Sequence, residues 1–271
     1  MNEVRHLSLY VGGVIIAVMI GIALTANLIA PYQPNAIDMS AILASPSWSH
    51  LAGTDEVGRD LFSRILFGGR LSLGVALAIV TIAASGGVLL GCLSALTGGI
   101  VDFLIMRGTE AVMALPGLVI ALALTAALGP SLFNLSIALG ILGIPFYTRV
   151  ARGQALTLKE RYFVKAAVVM GAGRMHVFLR HILPNLLPTI VVFMSLGLSG
   201  ALLGASALSF IGLGAQPPTA EWGALVSASR NYMLNEWWYA VFPGLAVALA
   251  SFGFALLGDG LRDLLDPKVM Q

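Results

Sequence analysis

Residues 111–148 run for 38 positions without one charged side chain. As a single helix they would reach about 57 Å at 1.5 Å per residue. A bilayer's hydrocarbon core is about 30 Å thick, so one crossing cannot use them up. Gly129-Pro130 lies inside the run and predicts a hairpin between two spans. Further uncharged runs cover residues 7–30, closed by Pro31-Tyr-Gln-Pro34, and residues 71–101, followed by a short connection at Gly98-Gly99 and Asp102. Apolar stretches at 186–213 and 238–258 complete six expected crossings, which put both termini on one side. A secretory signal peptide competes for the first run. Its apolar core would span only about 7–15 residues, so the 24 residues of 7–30 are expected to remain as a span.

Composition agrees. Of 271 residues, 58% are hydrophobic and 10% charged, against about 25% charged in a soluble domain. The expected fold class is therefore an all-α multi-span membrane protein. With the termini inside, the inner segments hold Arg5, Arg107, Arg149, Arg152, Lys159, Arg161, Lys165, Arg174, Arg180, Arg262 and Lys268; the outer ones hold Arg59, Arg64, Arg70 and Arg230. That excess favours cytoplasmic termini.

Several chemistries lose support. A single cysteine, Cys92, excludes an internal disulfide and reads as a small packing residue. No Gly-x4-Gly-Lys-Ser/Thr loop exists, because no lysine follows a glycine, so any ATP that drives this chain is hydrolysed on another. His176 and His181, the closest of four histidines, are five apart and fall on different faces of an α-helix, which argues against a metal site. There is no Gly-x-Ser-x-Gly elbow and no His-Glu-x2-His. The spans lack the ionisable residues of proton-coupled carriers, which counts against the main rival, an ATPase-independent secondary carrier. A membrane scaffold without transport has no supporting feature either. The Gly-x3-Gly pairs Gly87/Gly91 and Gly200/Gly204 are candidate close helix contacts, though 31 glycines would supply two by chance.

One charged segment breaks the apolar pattern: Tyr162-Phe-Val-Lys165-Ala166-Ala167-Val-Val-Met-Gly171-Ala172-Gly173-Arg174, continuing to Arg180-His181-Ile-Leu183-Pro184-Asn185. The two alanines keep one helix face thin enough for a groove on a partner. Gly171 and Gly173 permit a sharp turn, and Pro184 suits the start of a segment. The spacing resembles the coupling loop of bacterial ABC-type import permeases, Glu-Ala-Ala-x3-Gly-x9-Ile-x-Leu-Pro. Lys165 and His181 replace the Glu and Ile of that pattern, as in the peptide/nickel subgroup, whose frequent Arg is Val168 here. An ordinary basic loop between spans is the alternative.

Other stretches resemble the same subgroup, in its C-type component. In Gly53-Thr-Asp55-x2-Gly58-Arg59-Asp60-x2-Ser63-Arg64, an amphipathic helix would lead into span two, with Asp60 and Arg64 paired one turn apart, or simply lie solvated on the surface. Glu221 and Trp222 sit in what would be the external loop before the last span, where a binding protein would dock; Trp237, Trp238 and Tyr239 fit an interfacial aromatic belt. Gly258-Asp259 through Asp266-Pro267-Lys268 would form a cytoplasmic tail.

The resemblance implies a type I ABC importer permease with residues 1–70 as first span and external loop, 71–259 as permease domain containing a coupling loop at 153–186, and 260–271 as tail. It implies a second permease subunit, two ATPase subunits carrying ATP and Mg, and an extracytoplasmic solute-binding protein. The ATPase contacts would be Lys165, Ala166, Ala167, Gly171, Ala172, Gly173 and Arg174, with Leu183 and Pro184 fixing the return to the bacterial inner membrane. Peptides, nickel and metal chelates all remain open as cargo. No catalytic, metal or cofactor residue is expected in this chain.

Overall fold

A computed structural model describes residues 2–265, with side chains from residue 7 onward. Arg5, Lys268 and residues 266–271 of the expected tail lie outside the described side chains. The described chain is helical, with one isolated bridge between Thr54 and Asp60. The long helices are α1 (Asn2–Ile29), α2 (Leu61–Thr97), α5 (Leu132–Lys159), α8 (Leu183–Phe210) and α10 (Trp237–Leu265). Between them lie α3 (Gly99–Met113), α4 (Gly117–Leu128), α6 (Tyr162–Val169), α7 (Arg174–Val177) and α9 (Trp222–Ala228). Five helices are long and apolar enough to cross a membrane, and six crossings result where the bent pair α3 and α4 counts as one span.

Local chemistry sets the boundaries. Asp60 caps α2 by accepting from the Ser63 amide at 2.8 Å. Gly98 and Gly99, at φ +65° and +54°, end that helix and turn the chain into α3. Asp102 is thus not in a connection but in the first turn of α3. The expected hairpin forms at Gly129, φ +88°, and Asn134 Nδ2 closes it by donating to the carbonyls of Leu128 and Gly129.

Span three differs from expectation. It breaks between α3 and α4 with a bend of 89°. Pro116 stands just ahead of α4 and disfavours helical backbone at Leu115, so the helix stops at Met113. Nor does a separate amphipathic helix precede span two; residues 61–70 are the first turns of α2 itself.

Glycine lets the helices approach. A Cβ on Gly91 would sit 2.5 Å from the Thr148 carbonyl, and one on Gly87 2.8 Å from that of Ile144, which joins α2 and α5 side by side and parallel. Added atoms at Gly200 and Gly204 would meet nothing closer than 3.9 Å, so that pair marks no contact within this chain. Gly12 and Gly260 bring α1 antiparallel to α10 in the same way.

At the N-terminal end of α2, the loops fold into a cap. Asp55 is fully buried and accepts from Arg59 Nε at 2.6 Å, while Arg64 Nε faces it at 3.5 Å. Arg64 Nη1 donates to the Pro34 carbonyl at 2.9 Å. Asp60, committed to Ser63 and to His50 Nδ1 at 3.0 Å, does not pair with Arg64. This region is therefore an interior network rather than a solvated helix. Trp238 and Tyr239 also lie inside, where the Tyr239 hydroxyl donates to Glu56. Of the expected aromatic belt only Trp237 is exposed. Arg59, Arg64, Arg70 and Arg230 gather at this cap end; Arg152 and Lys159 lie at the other end of α2, beside Ser94 and Ala95.

Candidate functional site

The charged segment forms a folded elbow at the end of α2 opposite the cap. α5 ends at Lys159, and after a turn at Glu160 and Arg161 the chain enters α6. Gly171 turns at φ +90°, its amide donating to the Val168 carbonyl at 2.9 Å. α7 begins at Arg174 and continues through a π-helical turn, Phe178–Ile182, into α8. Leu183 and Pro184 follow that π turn within one continuous helical run, so Pro184 opens no separate segment.

Val164, Val177 and Ile182 anchor the elbow in the core formed by Ala151, Ala155 and Ile190. Successive helical residues differ by about 100° in direction, so the alanine pair splits. Ala166 faces outward, but Ala167 is buried and unavailable to a partner. The outward face is instead bulky: Tyr162 is 91% exposed, Val169 87% and Met170 82%. Sequence reasoning missed these three residues. For Tyr162 and Val169 the signal was the helical period read outward from Val164, which places them opposite the anchored face; Met170 is the C-cap just past α6.

Gly171, Gly173 and Arg174 are exposed and Ala172 is half-buried. Lys165 Nζ pairs with Glu160 Oε2 at 2.8 Å, and that hydrogen bond holds the Glu160 carboxyl below the usual range. A groove of about 550 Å³ beside α6 has an apolar floor, including Leu96, Val164 and Ile182, and a charged rim of Lys159, Glu160, Lys165 and Arg174. The rings of His176 and His181 are 5.9 Å apart because a π turn, unlike an α turn, brings residues five apart together. Among the described residues no group of three or more metal-ligating side chains occurs.

Between α2, α5 and α8 lies a cavity of about 520 Å³, bordered by Ile79, Ala83, Gly143, Tyr147 and Gly197 and reaching Gly117 at the start of α4. The Tyr147 hydroxyl donates to the Phe193 carbonyl at 3.1 Å, and no charged side chain borders the space.

On the cap side the expected docking pair is turned inward. Glu221 is 2% exposed and Trp222 3%. The Glu221 carboxylate caps α9, accepting from the amides of Gly223 and Ala224 and from Ser72 Oγ at 2.9 Å. The Trp222 indole donates to the Ile65 carbonyl at 2.9 Å. Both residues are buried and fix the 214–236 loop to α2.

Residues 87–271 match the family described as the binding-protein-dependent transport system inner membrane component. The chain belongs to that family. Its helical bundle is accordingly the type I importer permease fold, and the protein is a multi-pass component of the bacterial inner membrane. Among its relatives, the probable D,D-dipeptide transport system permease protein DdpC of Escherichia coli (strain K12) is 52% identical over 94% of this chain and 86% of its own. The dipeptide transport system permease protein DppC of the same organism is 44% identical over 98% and 91%. The di/tripeptide permease DppC of Pseudomonas aeruginosa (strain UCBPP-PA14) is 42% identical over 91% and 84%.

Proposed function

We propose that this permease subunit carries short peptides inward, driven by ATPase subunits that grip the elbow of residues 160–182. The observation that carries the reading is the outward side of α6 and its C-cap, where Tyr162, Val169 and Met170 stand exposed on an element anchored from behind. Exposed apolar groups grouped on a rigid element suit a protein partner. The named relatives belong to peptide systems, which favours peptides over nickel as cargo.

In this reading the elbow and both termini are cytoplasmic and the cap faces outward toward a solute-binding protein. A second permease completes the cavity that reaches Gly117. ATP and Mg²⁺ reside on the ATPases, whose closure pushes α6 and rocks the spans as rigid bodies between inward- and outward-open states. An uncharged path suits such cargo, because a fixed ion would hold a peptide's charged ends rather than pass them on.

Affinity purification from native membranes in mild detergent tests this. Wild type should bring down two Walker-motif ATPases and a second permease. Val169→Asp/Met170→Asp should keep the permease and lose the ATPases. A chain that purifies alone and moves labelled dipeptide into liposomes without ATP would overturn the proposal.

A further inference from the structure

The elbow and the cavity wall are about 20 Å apart along α5, from Lys159 to Tyr147, and something must carry movement to the wall's other helices. α3 is poorly held for that task. Ile100, Phe103 and Leu104 are more than half exposed, and its one buried residue, Thr109, bonds only its own helix, at the Ile105 carbonyl. One strong polar tie joins α3 to the bundle. Arg152 on α5 donates from Nε and Nη2 to the two oxygens of Asp102 on α3, at 2.6 and 2.7 Å. The buried Ser94 hydroxyl on α2 donates to the same carboxylate. Among the described residues, no other ion pair links α3 to another helix.

The placement gives the pair its consequence. Arg152 lies two turns before the end of α5, and Lys159, the last residue of that helix, donates to the Ala95 carbonyl of α2 at 3.1 Å. Three helix ends are thus fastened together directly above the elbow. On the far side, α3 leads through the 89° break into α4, whose first residue, Gly117, borders the cavity.

We infer that Asp102 and Arg152 are positioning residues for transport: the bidentate pair makes α3 travel with α5, so a push on the elbow moves the start of α4 at the cavity. This rests on the ATPase-driven reading above. Both side chains are about a quarter exposed, Asp102 at 24% and Arg152 at 29%, and a pair that open to water adds little stability by itself. Its two-point geometry, with a third helix on the same carboxylate, instead fixes direction.

The test uses the complete reconstituted complex and counts ATP hydrolysed per peptide imported. Asp102→Asn and Arg152→Gln should each raise that ratio about tenfold, the size expected when a contact of ordinary coupling strength is lost. The exchange Asp102→Arg/Arg152→Asp should restore most of it, which a loss of folding would not allow. Arg107→Ala, which breaks the exposed Arg107–Glu110 pair on the same helix, should leave the ratio unchanged. In Asp102→Cys/Arg152→Cys, a reducible bifunctional thiol reagent should recouple the same molecules, and reductant should uncouple them again. Single variants coupled like wild type, an exchange no better than the singles, or a cross-link that blocks import would each overturn the inference. If the wild-type complex itself imports peptide without hydrolysing ATP, the ATPase-driven reading fails instead, and the two failures are told apart.

Discussion

Asp55 is fully buried in a loop whose composition reads as polar and solvated. Its partner Arg59 and its neighbour Arg64 are buried with it, so charges that look like a surface face are the inside of the cap. Residue type and spacing pointed to an amphipathic helix with Asp60 and Arg64 paired, and the structure has neither. They could not show the partners, because Arg64 finds the Pro34 carbonyl thirty residues away. Glu221 is illegible for the same reason: its structural role depends on Ser72, 149 residues earlier. The buried carboxylate holds two amides and a hydroxyl, so Glu221→Ala should cost about 2–3 kcal/mol, combining a lost cap with unpaired buried donors. Thermal unfolding in detergent, followed by tryptophan fluorescence with Trp222 as the neighbouring reporter, should show a midpoint lower by several degrees. Glu221→Gln should lose less, because its amide oxygen still accepts. Binding-protein affinity should be retained in Glu221→Gln complexes; a large loss there would return Glu221 to the docking surface.

At the scale of helices, the sequence showed the spans well, because twenty or more apolar residues in a row have one stable form in lipid. The Gly129 hairpin and the Gly98-Gly99 turn were legible from their glycines. The broken third span was not, although Pro116 was visible, because an uncharged run gives no marker of where a helix bends. The glycine pairs show the limit in another way. Both read alike, yet only Gly87/Gly91 faces a neighbouring backbone in this chain. Gly91→Val would place methyl carbons where the Thr148 carbonyl and Arg152 amide already stand, at 2.5 and 2.8 Å from the first added carbon. Overpacking of that kind costs about 1–3 kcal/mol, and here the obstacle is backbone that cannot step aside. The folded yield and unfolding midpoint of Gly91→Val should fall clearly below wild type. Gly204→Val, whose nearest atom is 3.9 Å away, should match wild type. Equal behaviour would mean that α2 and α5 are not held by this seam.

The whole molecule is a helical bundle with a capped end and an elbow end. Its capped loops are locked by buried charge, and the other end carries an elbow whose outward face stands exposed among the described residues. Gly171 is where the elbow depends on one residue. Its φ of +90° is open to glycine and strained for any other residue, and its amide closes the turn on Val168. Proline fixes φ near −65° and has no amide hydrogen, so Gly171→Pro must redirect the chain between α6 and α7. The core contacts of Val164 and Val177 lie outside that turn, and the spans are far from it, so the variant should still reach the membrane. It should let the ATPases turn over while import falls by about tenfold or more, as expected when a transmitting contact worth 1.4 kcal/mol or more is lost. Gly171→Ala keeps the amide and meets no atom within 4 Å, so only the backbone strain of about 1–2 kcal/mol remains and import should fall less. Uptake of labelled dipeptide and phosphate release, measured on the same proteoliposomes, give both numbers. Normal import by Gly171→Pro would show that the force enters elsewhere, and the outward face of α6 would then need another explanation.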